Sequence, residues 1–222
     1  MAEGKWRICA AIVDNDLKAV GRAGPMVDFF EVRIDLIGSV WRELVAGLDR
    51  PWIACNRRIE EGGRWQGSES ERIRELIGAV DLGAAIVDIE LAAPDVASII
   101  GEVKDRAELL ISYHNLEETT SLEAMQDIVE RQLSAGANIC KVVTTARDFA
   151  DNIAVLQLIS SYPDIKIVAF AMGPQGYLSR VLSPLAGGYF TYASIEKGRE
   201  SAAGQIAVRD LMDIYQLMED MP

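Results

Sequence analysis

Histidine is almost missing from this chain: His114 is the only one in 222 residues. The only thiols are Cys9, Cys55 and Cys140, odd in number and far apart. Such a set argues against a typical zinc site, which gathers His and Cys ligands at short spacing, and against a disulfide framework. Each cysteine lies in an apolar run and reads as a buried free thiol of a reducing compartment. No apolar stretch approaches the roughly 20 residues that a membrane-spanning helix needs. The start, from Met1 to Arg7, has no apolar run behind it that would read as an export signal. The expectation is a cytoplasmic protein with no membrane partner. Positive charge is also short, with 22 Lys and Arg against 34 Asp and Glu, a net charge of −12. That balance argues against nucleic acid and anionic surfaces as partners. A small anionic substrate fits only where the cations are concentrated locally.

Half of the residues are hydrophobic, enough for a sizeable core. Length alone suits one large domain or two small ones. No linker interrupts the chain, so residues 1–222 read as a single domain. Strand-like runs cover Arg7–Val13, Val27–Ile34, Trp52–Arg57, Ala85–Leu91, Glu108–His114, Asn138–Thr144, Lys166–Ala171 and Phe190–Ile195. Many are near-continuous apolar runs, as in parallel strands covered on both faces. Helical patterns lie between them. One opens at Ser121, aligns Leu122, Met125, Val129 and Leu133, and stops at Gly136. The last segment aligns Val208, Leu211, Met212, Tyr215 and Met218. Eight such strands alternating with about eight helices predict an α/β fold, a (β/α)8 TIM barrel. An open doubly wound sheet is the alternative, weakened because no Gly-x-Gly-x-x-Gly follows the first strand and no phosphate-binding Gly-Lys-Ser/Thr loop occurs.

Polar residues break the apolar runs at one end of successive strands. That is where a barrel of this type gathers its catalytic groups. The second strand ends Glu31-Val-Arg33-Ile-Asp35, and alternation puts the three charges on one face. The third ends at Arg57, followed by Glu61-Gly-Gly63; the fourth ends Asp88-Ile-Glu90; the fifth ends at His114. Lys141 stands inside the apolar run Asn138-Ile-Cys-Lys-Val-Val143. A lysine is almost never fully buried without a partner or a task. Desolvation lowers an amine's pKa, so Lys141 is expected to be partly neutral and able to attack a carbonyl. Each residue also has a plainer reading. His114 is a structural histidine, Lys141 snorkels to the rim, the charges form a structural ion-pair set. Their recurrence at the same end of the strands favours one common cause.

The ordered set Glu31-Val-Arg33-Ile-Asp35, Asn56-Arg57 with Glu61-Gly-Gly63, Asp88-Ile-Glu90, Ile111-Ser-Tyr-His114, Cys140-Lys141-Val-Val, Ala171-Met-Gly173 with Ser179-Arg180, and Ser201-Ala-Ala-Gly-Gln205 resembles the type I 3-dehydroquinate dehydratases. The resemblance implies a (β/α)8 barrel and a Schiff-base dehydration of 3-dehydroquinate in the shikimate pathway. It implies no cofactor and no metal, a small anionic substrate as partner, and a homodimer. It implies that Lys141 condenses with the substrate ketone, His114 transfers protons, and Glu61 orients His114. Glu31 and Arg33 are implied to grip substrate hydroxyls. Arg57 and Arg180 bind the substrate, Arg180 at its carboxylate, and Ser201 and Gln205 close a lid on that group. Strand alternation favours Arg57 over Arg58 in this role. The lid departs from the family's usual Ser-Ala-Pro-Gly-Gln by having alanine in place of proline, which is expected to loosen it.

The residue types suit that chemistry. A protonated imine is a better electron sink than a ketone, so a histidine can remove the neighbouring proton. The resulting enamine expels the β-hydroxyl, which the same imidazole protonates. Arg33, Arg57, Arg180 and Lys141 are expected to make the pocket positive, as a carboxylate substrate needs. The other readings are a class I aldolase on the same barrel, which also uses a lysine imine, and a non-catalytic keto-acid sensor.

Overall fold

The computed structural model describes residues 6–94 and 96–220, the side chains of 97 and 98 excepted. The reading of the first five residues lies outside this range. The chain runs β1 (Ile8–Ile12), α1 (Leu17–Ala23), β2 (Phe29–Arg33), α2 (Ile34–Ile37), α3 (Trp41–Val45), β3 (Trp52–Cys55), α4 (Glu69–Asp81), β4 (Ile86–Glu90) and α5 (Val96–Val103). It continues with β5 (Glu108–His114), α6 (Leu122–Ser134), β6 (Ile139–Thr145), α7 (Asp151–Ser160), β7 (Ile167–Met172), α8 (Tyr177–Leu182), β8 (Thr191–Ser194), β9 (Ile206–Ala207) and α9 (Val208–Glu219). All eight expected strands are present, most of them trimmed at the ends. Asp35 falls in α2 rather than on β2, yet it still turns back to Arg33.

The strands pair in parallel in the order β7-β6-β5-β4-β3-β2-β1-β8-β9. This is a barrel with a seam between β7 and β8. At the bottom the seam is held by the Tyr189 N–H donating to the Ile167 carbonyl at 2.7 Å. At the top β9 lies along β8 instead, and the Gly173 N–H donates to Ala203 O at 3.1 Å. The segment before α9 therefore forms part of the wall.

Parallel strands covered by helices bury both faces, which is why their sequences read as apolar runs. One face packs under the helices. Ser121 caps α6 by accepting from Ala124 N–H, and Met125 and Val129 of α6 are buried against β6, as its periodicity predicts. In α9 Val208, Leu211 and Tyr215 are buried, whereas Met212 is 38% exposed, because five apolar positions are a wider stripe than the sheet covers. The inner face stacks in layers. Cys9, Ile53, Ile86, Leu110, Ile139, Val168 and Phe190 fill the bottom of the barrel. Two residues further along the strands, alternation brings Glu31, Cys55, Asp88, Ser112, Lys141 and Tyr192 inward. Apolar packing below and charge above is what places a polar pocket at the carboxyl ends of the strands.

Candidate active site

A cavity of about 220 Å³ opens above that middle layer. Glu31, Arg33, Arg57, Glu61, His114, Lys141, Arg180, Ser201 and Gln205, all selected from sequence, border it. The two neighbouring arginines part company in the structure. Arg57 is buried at the cavity wall, while Arg58 turns away to Glu60 and the Ala92 carbonyl.

Lys141 is 3% exposed. Its Nζ donates to Asp88 Oδ2 at 2.8 Å, to Tyr192 Oη at 3.1 Å and to Glu31 Oε1 at 3.4 Å. Here one expectation fails. Burial does pull the amine's pKa down, and Arg57 adds to that, but Asp88 and Glu31 more than offset both. In the free protein Lys141 is an ammonium held above the usual lysine value, not a partly neutral amine. Burial by itself would raise the Asp88 carboxyl; the Arg57 and Lys141 cations outweigh it and keep Asp88 far below the usual range. Glu31, Cys55 and Asp88 also have donor atoms within 4.8 Å of one another, the spacing of a metal site. The Lys141 ammonium is bonded to two of those three, so a cation is already supplied by the chain.

His114 ends β5, and its Nδ1 lies 2.8 Å from Glu61 Oε2, which also accepts the His114 backbone N–H at 3.0 Å. Glu61 reaches this place from a tight loop. The Gly63 N–H donates to Arg58 O at 2.7 Å, and a Cβ on Gly63 would stand 1.9 Å from the Arg57 carbonyl oxygen. Only glycine fits there. Burial, followed by the Arg57 and Lys141 cations, holds the imidazole well below its usual pKa. Burial pushes Glu61 up to about 7, with Glu90 and Asp88 adding to the rise and Arg57 opposing it. A neutral imidazole that donates from Nδ1 to Glu61 leaves Nε2 free to accept a proton.

The cations are less available than the sequence suggests. Arg33 is locked to Asp35 by two bonds of 2.9 and 2.7 Å. Arg57 bonds Asp88 at 2.7 Å, Glu90 at 3.0 Å and Ser112 Oγ at 2.6 Å. Ser112 in turn donates to Asp88 Oδ1 at 2.7 Å. Behind them, buried Arg72 bonds Glu90 at 2.8 Å. The exception is Arg180. It is 1% exposed, has no carboxylate partner among the described residues, and its Nε makes no hydrogen bond there. It lies 4.2 Å from the centre of the Phe170 ring and makes one long bond of 3.4 Å to Ala203 O. Burial draws its pKa down to about 9. Of the four cations expected in this pocket, Arg180 is thus the one left without a carboxylate partner among the described residues.

Ser201 and Gln205 approach from the segment that fills the seam, tied to each other by the Ser201 N–H donating to Gln205 Oε1 at 2.7 Å. Sequence reasoning gave no role to Asp88, Ser112 or Tyr192. Asp88 carried a signal, a buried charge alternating with Glu90. Ser112 and Tyr192 carried none, because a serine or tyrosine in an apolar strand reads as core. Cys55, read as inert core, borders the cavity.

Known proteins resemble this chain in sequence and in fold. A family model described as type I 3-dehydroquinase matches residues 8–222. A curated 3-dehydroquinate dehydratase of Dehalococcoides mccartyi is 44% identical over 209 residues, 94% of this chain and 94% of that protein. One from Methanocaldococcus jannaschii is 34% identical over 220 residues, 96% of this chain and 99% of the other. Among solved structures, a 3-dehydroquinate dehydratase from Geobacillus kaustophilus superposes with a TM-score of 0.83 at 24% identity, covering 96% of this chain and 91% of its own. A type I enzyme from Clostridium difficile, bearing covalently modified comenic acid, gives 0.84 at 20% identity, covering 100% and 96%. These structural likenesses support the barrel.

Proposed function

The chain belongs to the type I 3-dehydroquinase family, and from that premise we propose that its single catalytic barrel dehydrates 3-dehydroquinate to 3-dehydroshikimate through an imine on Lys141. The enzyme is a lyase of the shikimate pathway. The comparisons do not favour a Schiff-base aldolase or a non-catalytic keto-acid sensor. The observation that carries the assignment of residues is Arg180, a buried guanidinium with no carboxylate partner among the described residues, on the wall of the cavity that Lys141 and His114 also border. A buried unpaired charge is costly, and a substrate carboxylate would supply its partner through charge-assisted bonds. Ser201 and Gln205 are then within the same wall to bond that carboxylate.

With the ketone over Lys141, the amine adds to it and water leaves, giving a protonated imine. His114 Nε2 removes the adjacent proton, and the imine nitrogen accepts the electrons. The enamine expels the β-hydroxyl, to which His114 returns its proton. Glu61 fixes the tautomer that makes Nε2 the base and stabilises the imidazolium while it lasts. Glu31 and Arg33 hold substrate hydroxyls, and Arg57 lines the pocket as the cation that keeps Asp88 ionised. We also propose a homodimer acting in the cytoplasm.

The product carries a carbonyl conjugated to the new double bond, so turnover is read as short-wavelength ultraviolet absorbance. Wild-type protein is expected to generate it from 3-dehydroquinate and not to cleave ketose phosphates. Lys141→Ala should lose nearly all of it. His114→Ala should still form the imine but eliminate about 10²- to 10⁴-fold more slowly, the usual worth of a positioned acid–base group. Full activity in Lys141→Ala contradicts the proposal.

A further inference from the structure

Forming the imine is itself a proton-transfer problem, and the surroundings of Lys141 offer a solution that rests on the reading above. An ammonium has three N–H donors. All three are taken in the free protein, by Asp88, Glu31 and Tyr192. A protonated imine keeps only one N–H. The water released takes up the ketone oxygen and two hydrogens, so both hydrogens that nitrogen loses must reach that oxygen. Asp88 is the shortest contact of the three, and it suits the hydrogen that stays.

Tyr192 suits one of the hydrogens that leaves. Its ring sits edge-on to Phe170 and Phe190, with centroids 5.8 and 5.4 Å away, and the Nζ lies 4.3 Å from its own ring centre. The hydroxyl is thus fixed beside the reacting nitrogen and borders the cavity. It accepts from Nζ, while among the described residues its own proton has no acceptor. A buried hydroxyl normally finds partners for both of its functions. Here the unused donor stands beside the position where a ketone oxygen must come to meet Lys141. Burial, followed by Glu31, pushes the phenol's pKa well above its usual value. A lasting phenolate is disfavoured, and a transfer that takes one proton as it gives another needs none.

We infer that Tyr192 is a catalytic residue of imine formation, relaying a proton from the Lys141 nitrogen to the substrate ketone oxygen. The step balances. Glu31 takes the first proton from the ammonium, which frees the nitrogen lone pair. That pair forms the C–N bond, and the C=O π pair moves to oxygen. The new alkoxide takes the Tyr192 proton while Tyr192 takes one from nitrogen, leaving a neutral carbinolamine and an intact phenol. Glu31 then returns its proton to the carbinolamine hydroxyl and the C–O bond breaks. Water departs, and the nitrogen pair closes the C=N bond, with one hydrogen left on nitrogen facing Asp88. Hydrolysis after elimination runs the same relay backwards.

Tyr192→Phe keeps the ring and its packing and removes only the oxygen. Protein mixed with 3-dehydroquinate is quenched into borohydride at increasing times, and the fraction carrying the added mass is read by mass spectrometry. The variant is expected to reach the wild-type fraction, at a rate at least about tenfold lower. In mixtures of light and heavy water, wild-type trapping should depend on deuterium content with the curvature of two protons moving together, and the variant should give a straight line. A variant rate within twofold of wild type overturns the inference, as does a lower final fraction reached at the wild-type rate. A straight line for the wild-type protein also overturns it, whether or not the variant folds. Absence of any added mass in the wild-type protein is a separate result that removes the imine reading and this inference with it.

Discussion

Glu61 and His114 are a pair in which the order of protonation matters. The Glu61 carboxyl, pushed up to about 7 by burial, protonates first as pH falls, while the imidazole, held well below its usual pKa by burial, stays neutral. Below pH 7 the glutamic acid no longer offers an anion to Nδ1–H, and the transient imidazolium loses its counter-charge. The value of kcat/KM should therefore rise with pH through about 7. Glu61→Gln should abolish that limb and lower kcat about tenfold, which corresponds to roughly 1.4 kcal/mol of lost support. An unchanged limb in the variant would assign it to another group. Lys141 was legible in the sequence because an apolar strand rarely buries a lysine, but its ionisation was not. The amine's state is decided by Asp88 and Glu31, which come from strands 53 and 110 residues away. Tyr192 was silent for a similar reason: its chemistry lies in what its hydroxyl faces, not in its spacing.

Among the elements, those with long periodic patterns were readable. The span and cap of α6 and all eight barrel strands follow from apolar runs and their stop signals. The two-residue β9 was not, since so short a strand has no periodicity and exists only because it lies along β8. It belongs to the lid, where the missing proline suggested looseness. The geometry argues otherwise. Gln205 N–H donates to Ala202 O at 3.3 Å, with Ala203 and Gly204 as the central pair and Gly204 at φ +77°. That is a type II turn, whose second position favours proline and whose third favours glycine. The Ala203 carbonyl already holds Gly173 and Arg180, and its N–H donates to no backbone acceptor among the described residues. Ala203→Pro is thus expected to stabilise the protein by about 0.4–1 kcal/mol through the unfolded chain. Thermal denaturation should show a Tm higher by about 1–4 °C, with KM unchanged or lower. A fall in Tm would contradict this turn.

For the whole molecule, a surplus of acidic residues surrounds a cavity whose cations are mostly neutralised within it. The −12 net charge kept nucleic acid out of consideration. It could not reveal that Asp35, Asp88 and Glu90 tie up Arg33 and Arg57 and leave Arg180 alone. The barrel makes that division. Alternation fills its floor with apolar side chains and its mouth with charge, and among the lysines it buries Lys141 at the boundary while Lys166 and Lys197 stay at the surface. The central claim is that the reaction passes through this one amine. Borohydride reduction of the intact protein turning over 3-dehydroquinate, followed by proteolysis and peptide mass mapping, tests it most directly. The added mass is expected on the peptide containing Lys141 and on no other lysine; turnover with Lys141 unmodified, or with the mass on a surface lysine, would contradict the account.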